Sequence, residues 1–178
     1  MLNIKVSDGK QIFKMDDNRL AVVVAGSLND SSISPNNTNA LQAVLPSVKD
    51  FVIDANGVIY FISNKATGIR KIEKGIMVEL NDATSQSLDI LPNGEVIFQE
   101  GNFIKKLNPD GTSTVIIGAD MPPDQIIDDG SGIITVVPGN IPTCHNIPAT
   151  LCVFSSEPAN IKTTADGTIY FTGKSCQG

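Results

Sequence analysis

A short turn recurs between apolar strands and sets the limits on what this chain can fold into. Asp54-Ala55-Asn56-Gly57-Val58-Ile59-Tyr60-Phe61 returns as Leu91-Pro92-Asn93-Gly94-Glu95-Val96-Ile97-Phe98, and again as Ala165-Asp166-Gly167-Thr168-Ile169-Tyr170-Phe171. The turn glycines stand at 57, 94 and 167, so the gaps are 37 and 73 residues, the second close to twice the first. Gly130, in Asp128-Asp129-Gly130-Ser131-Gly132, falls where the missing beat is expected. A module of about 37 residues built on a hairpin implies a repeat architecture.

The strand signals agree. Val22-Val23-Val24, Phe51-Val52-Ile53, Val58–Ile62, Val96-Ile97-Phe98, Val115-Ile116-Ile117, Ile133–Val137 and Ile169-Tyr170-Phe171 are short β-branched or aromatic runs bounded by turn residues. Asn-Gly or Asp-Gly pairs occur at 8–9, 56–57, 93–94, 110–111, 129–130 and 166–167. They read as two-residue hairpin corners, because Asn, Asp and Gly tolerate positive φ. No dozen residues keep helical periodicity. The nearest stretch, Asn39–Leu45, is cut by Pro46 and holds at most one or two turns of helix.

Within 48–80 the expected strands are Lys49–Asp54, Val58–Ser63, Gly68–Glu73 and Ile76–Leu80, with a turn at Lys74-Gly75. The next copy, 87–118, gives Ser87–Leu91, Glu95–Gln99, Phe103–Asn108 and Thr114–Ile117. A third unit spans 124–156, and a composite one joins 11–26 to 160–173. Residues 3–9 also resemble 160–167, which leaves the N-terminal register open. Four short antiparallel strands per module is the unit of a propeller blade, stable only when neighbours cover both faces. The expectation is a single all-β domain over 1–178, a β-propeller of about four four-stranded antiparallel blades. It is either a small closed ring or a section of a larger propeller.

Residues 39–80 resemble an NHL-type propeller repeat. The matching features are Ala40, Leu41 and Leu45 in the lead-in, Phe51-Val52-Ile53-Asp54, the Asn56-Gly57 turn, Ile59-Tyr60-Phe61, and Ile69-Arg70-Lys71-Ile72. The match is partial over 87–118, where Phe103-Ile104-Lys105-Lys106-Leu107 stands for the basic strand, and poor over 27–38 and 138–160. The resemblance implies a propeller. It implies little about activity, since such propellers mostly bind proteins, RNA or glycans, and a minority are lactonases, lyases or hydrolases.

Composition narrows the function. The 178 residues carry a net charge of −6, which opposes the counterion release that drives nucleic-acid binding and gives no attraction to anionic membranes. Arg70, Lys71, Lys105 and Lys106 recur on the third strand of two copies and could form a basic stripe. Yet 13 Lys plus Arg, no Trp and 5% aromatic residues are poor material for stacking on bases. Nucleic acid is therefore not the expected partner. No apolar run is long enough for a membrane span, and Met1–Lys5 opens no signal peptide.

Cys144, Cys152 and Cys176 fit no common metal or haem spacing. A Cys144–Cys152 disulfide closing the Pro142/Pro148 segment is the reading taken, and it implies a secreted or cell-surface setting; the alternative is ordinary buried thiols in a cytoplasmic protein. His145 adjoins Cys144, but neighbouring side chains point apart, so no nucleophile pair is expected. Asp120, Asp124, Asp128 and Asp129 cluster without the spacing of a helix-loop-helix calcium site. The Ser- and Asn-rich 27–39 segment, with sequons at Asn29 and Asn36, reads as a linker or a binding loop.

The expected function is a non-enzymatic binding or scaffold domain making protein or glycan contacts through loops on one face, with no cofactor. The alternatives are a propeller enzyme of the lactonase or lyase type with a central divalent metal, and a structural subunit whose incomplete ends self-associate. Gly57, Gly94, Gly130 and Gly167 carry structure, not chemistry. Replacing Gly57 or Gly94 with Val should cost about 1–3 kcal/mol in denaturant unfolding; unchanged stability in both would mean that the turns are misread.

Overall fold

A computed structural model describes residues 5–16, 18–28, 34–45, 47–64, 68–118, 125–128, 134–137 and 157–172. They form sixteen strands and no helix. The stretch 40–45 holds a turn over 40–42 and no helix, and its Ala40, Ala43 and Leu45 are buried.

β1 (Lys5–Ser7), β2 (Ile12–Met15) and β3 (Ala21–Ala25) make a three-stranded antiparallel sheet. β5 (Val48–Ile53), β6 (Ile59–Ser63), β7 (Arg70–Glu73) and β8 (Ile76–Glu79) form an antiparallel meander, and β4 (Thr38–Asn39) adds a fifth strand on β8. β9 (Leu88–Ile90), β10 (Val96–Glu100), β11 (Phe103–Leu107) and β12 (Ser113–Ile117) repeat the meander. β13 (Gln125–Asp128) pairs with β14 (Ile134–Val137), and β15 (Ala159–Thr163) with β16 (Ile169–Thr172). The two complete modules follow the boundaries expected from the turn spacing, to within one or two residues at each strand end.

The turns themselves differ from expectation. A two-residue type I′ corner needs positive φ at both central residues. At 56–57, 93–94, 110–111 and 166–167 only the glycine has it, with φ between 84° and 87°. The loops hold three residues instead. Gly57 N donates to Asp54 O (3.0 Å) while Asp54 N donates to Val58 O (3.0 Å), a type I turn closed by a glycine bulge. The same pair of bonds recurs over Leu91–Glu95, Asn108–Thr112 and Thr164–Thr168. Aspartate or asparagine completes each turn: Asp54 Oδ1 accepts from Asn56 N and Val58 N, Asn93 Oδ1 from Glu95 N, Asp110 Oδ1 from Thr112 N, and Asp166 Oδ1 from Thr168 N. Lys74-Gly75, with φ of 49° and 77°, has positive φ at both central positions as type I′ requires. Gly130 lies outside the described residues.

Four of the sheets, the β13–β14 pair aside, stack face to face, each junction filled by an apolar cluster. Ile12 and Ala25 of the first sheet meet Ile59, Phe61, Ile72 and Met77 of the second, with Ala40, Ala43 and Leu45 packed among them. Ile62 and Ile69 of the second meet Leu88 and Phe98 of the third. Ile97, Ile104 and Ile117 of the third meet Ile161, Ile169 and Phe171 of the last. The period-2 alternation of strands produces this division. Four residues after the turn glycine, Phe61, Phe98 and Phe171 all face the preceding sheet; three residues after it, Tyr60 and Ile97 face the following one. Tyr170, at that same position in the last sheet, is 60% exposed.

Polar bonds repeat across the junctions. Seven residues before the turn glycine stand Asp50, Ser87 and Asn160. Asp50 Oδ2 accepts from Ser87 Oγ and Leu88 N (3.2 Å each), and Ser87 Oγ in turn accepts from Ile161 N (3.1 Å). Asp89 Oδ2 accepts from Thr163 N (2.7 Å), and Thr163 Oγ1 donates to Ile90 O (2.6 Å). The inner strands β5, β9 and β15 are therefore consecutive neighbours. The long gap from Gly94 to Gly167 does not place a described sheet between β9 and β15.

Two further expectations change. Segments 11–26 and 160–173 lie in separate sheets, because β2 gives its second edge to β1, with Val6 opposite Phe13. The end of the 27–39 loop is not a free linker: Asn36 Oδ1 accepts from Glu79 N (2.6 Å), and Thr38 pairs with Met77, covering backbone groups on the outer edge of β8. Residues 29–33 lie outside the described set.

The face assignment predicts unequal costs for two aromatic truncations. Phe98→Ala should lose about 3–5 kcal/mol in urea unfolding, whereas Tyr170→Ala should stay within about 0.5 kcal/mol. Equal costs would contradict the assignment.

Candidate functional site

The junction between the second and third sheets opens into a cleft of about 390 Å³. One wall is Tyr60 on β6, Lys71 on β7 and Leu80 after β8; the other is the Asn93-Gly94 turn with Glu95, Lys106 and Leu107 on β10 and β11 and their approaches, closed by Asn108 and Pro109. Local rules place each group. Tyr60 and Lys71 are cross-strand partners. Lys106 lies opposite Ile97 on the next sheet, at the position equivalent to Lys71. The turn over Asn108–Thr112 is held against the second sheet at its glycine: a Cβ on Gly111 would lie 2.4 Å from Leu80 O.

Ion pairs organise the polar rim. Lys71 Nζ donates to Glu73 Oε2 (2.8 Å), and Lys106 Nζ to Glu95 Oε1 (2.9 Å). Asn93 Nδ2 donates to the other Glu95 oxygen (2.9 Å). Protonation follows these contacts. The bonds from Lys106 and then Asn93 hold the Glu95 carboxyl below its ordinary range. The bond to Lys71 does the same for Glu73, and the bond to Glu73 raises the Lys71 ammonium. Burial, then the charge of Asp54, raises the Tyr60 phenol. At neutral pH the rim thus carries a charged Lys71, charged Glu73 and Glu95, and a neutral Tyr60 phenol.

The four basic residues read as a stripe are all matched within their own sheets. Arg70 bonds Glu79, and Lys105 Nζ donates to Glu100 Oε2 (2.6 Å), beside the pairs of Lys71 and Lys106. Lys105 also lies 5.8 Å from the centroid of the Phe103 ring. In a second depression, bordered by Glu79, Asp82 and Asp110, two of the carboxylates are engaged structurally: Glu79 holds Arg70, and Asp110 holds Thr112. Among the described residues, no three His, Cys, Asp or Glu side chains converge in a metal-binding arrangement. No described helix is long and apolar enough to cross a membrane.

Cys144, Cys152, Cys176, His145, Asp120, Asp124 and Asp129 lie outside the described residues, and the side chain of Asp128 is not described. Gly57, Gly94 and Gly167 occupy the expected turns, and only Gly94 borders the cleft. Sequence reasoning did not single out Tyr60, Glu95 or Asn108. It also missed the buried Gln99, whose amide is fully engaged: its Oε1 accepts from Gln86 N (2.9 Å) and its Nε2 donates to Gly101 O (2.7 Å). A usable signal existed for the junction bonds, since an oxygen-bearing side chain stands seven residues before the turn glycine in all three copies.

No protein-family model matches the chain, and no curated protein matches it in sequence. Among solved structures it is similar to selenomethionine-substituted virginiamycin B lyase from Staphylococcus aureus, with 18% identity and a TM-score of 0.46. The match covers 93% of this chain and 57% of that one, so the chain spans little more than half the length of the lyase. The lyase's chemistry is that protein's own.

The pairing of Glu95 predicts its titration. A depressed carboxylate adds stability above the ordinary carboxylate pKa, and that stability is lost as pH falls through the folded value. Lys106→Met should move the Glu95 midpoint in side-chain NMR up toward the ordinary carboxylate range. An unmoved midpoint would mean that the pair is not populated in solution.

Proposed function

We propose that this chain is a non-enzymatic binding domain of the β-propeller type, contacting its partner through the cleft between the second and third sheets. The observation that carries the reading is that the charged groups of the cleft are spent on one another, Lys71 on Glu73 and Lys106 on Glu95. General acid–base catalysis and nucleophilic activation call for carboxyls pushed up or lysines pushed down toward neutrality. Here Glu95 and Glu73 are pushed down, and Lys71 and Tyr60 up, so each keeps its ordinary form at pH 7. The propeller reading rests on two successive four-stranded meanders whose inner strands are neighbours; the number of blades in a complete ring belongs to the same proposal. A secreted or surface setting rests on the Cys144–Cys152 pairing read from sequence.

The structural-subunit alternative draws on the N-terminal sheet, where Leu20 and Val22 are 62% and 47% exposed. The opposite end does not favour it. Where the second sheet turns Val52, Tyr60 and Ile62 toward its neighbour, the last sheet has Lys162, Tyr170 and Thr172, all exposed. That face of the last sheet is therefore more polar than its counterpart in the second.

Metal analysis separates the binding reading from the lactonase or lyase alternative. Protein purified without chelator should carry no stoichiometric divalent ion, and EDTA should leave its Tm unchanged. A bound ion at one per chain, with a chelator-sensitive Tm, would overturn the non-enzymatic reading.

A further inference from the structure

We infer that the cleft between the second and third sheets takes a neutral, hydroxyl-rich ligand, a saccharide. The inference rests on the binding reading above and names its ligand class.

Three properties of the cleft select that chemistry. Its cations are already neutralised. Lys71 and Lys106 each hold a carboxylate at 2.8–2.9 Å, so an anionic ligand would have to displace Glu73 or Glu95, in a chain whose net charge is −6. The backbone along its walls is also engaged. Leu91 N bonds Glu95 O, Gly94 N bonds Leu91 O, and Asn108 N bonds Thr112 O; β6 and β7 are paired on both sides, as are β10 and β11. No strand edge is left there for an extended peptide to extend the sheet, which removes the main-chain bonds that such recognition uses.

What remains is a lining of mixed polarity. Leu80, Leu107 and the Tyr60 side chain supply apolar surface, and the Glu95–Lys106–Asn93 network supplies donors and acceptors in fixed positions. A sugar ring has the same division, with apolar C–H faces and a rim of hydroxyls that both donate and accept. A hydroxyl is bound without a net charge having to be matched, so the ion pairs of the rim stay intact. The carboxylate of Glu95 is held ionised by Lys106, and charge-assisted bonds of that kind are the stronger ones available to a neutral ligand.

The test is a titration of the isotopically labelled full chain with neutral oligosaccharides, glucans, mannans and N-acetylglucosamine oligomers among them, followed by backbone and Tyr60 NMR signals at physiological salt. A member of the panel should give saturable shifts at Tyr60, Asn93 and Asn108. Glu95→Gln should weaken that binding about tenfold, and Tyr60→Leu, which keeps apolar bulk at the junction, should weaken it comparably. Well-dispersed spectra of both variants exclude unfolding as the cause. Sulfated and uronate saccharides and a peptide are titrated in the same way; shifts at the cleft with one of these alone would overturn the neutral-saccharide class and leave the binding cleft standing. Absence of shifts at the cleft with every probe would overturn both.

Discussion

Everything in this molecule hangs on one sheet covering the next. Each four-stranded meander is apolar on both faces, as β6 shows by sending Ile59 and Phe61 one way and Tyr60 and Ile62 the other. Such a sheet gains stability only from its neighbours. Apolar burial is non-directional, so the clusters alone would let adjacent sheets slide. The bonds from the inner strands remove that freedom. Asp50 and Ser87 each bond a backbone N–H of the next inner strand, which ties the step between sheets to a single register.

The cleft is a by-product of that register. The turns over Leu91–Glu95 and Asn108–Thr112 project beyond the packed zone, and Gly111 lets one of them approach Leu80 without a side chain between. The space above Tyr60 and Leu107 is then walled by groups whose first duty is to the sheets. Their ion pairs are partly exposed, and pairs of that kind add little to stability. Their larger effect is on the site's chemistry, because they fix the orientation of its charged groups.

The first and last described sheets differ from the two between them. At the C-terminal side, lysine and threonine replace the valine and isoleucine that face a neighbour elsewhere. At the N-terminal side the composition stays more apolar, and β1 occupies the edge of β2 that the repeat pattern left open. The preference of β2 for β1 was not readable from the 11–26 segment, since Gln11-Ile12-Phe13-Lys14-Met15 resembles a third strand in any sheet. Which strand fills its edge depends on chain connectivity and on the backbone register that sets Val6 opposite Phe13.

The sequence by itself determined the strands, their order within the two complete modules and the places of the turns. These depend on local rules: alternation, β-branched runs and a glycine that adopts positive φ most readily. It misjudged the loop type, because Asn-Gly serves a two-residue corner and a three-residue bulged loop equally well, and the strand register decides between them. It located Lys71 and Lys106 without their carboxylate partners, since Glu95 reaches Lys106 from an adjacent strand eleven residues away. The neighbour relation of β9 and β15, and the cleft beside Tyr60, were decided only in the tertiary structure. Both arise from contacts across sheets, where residues far apart in the chain satisfy one another's hydrogen bonds and bury one another's faces.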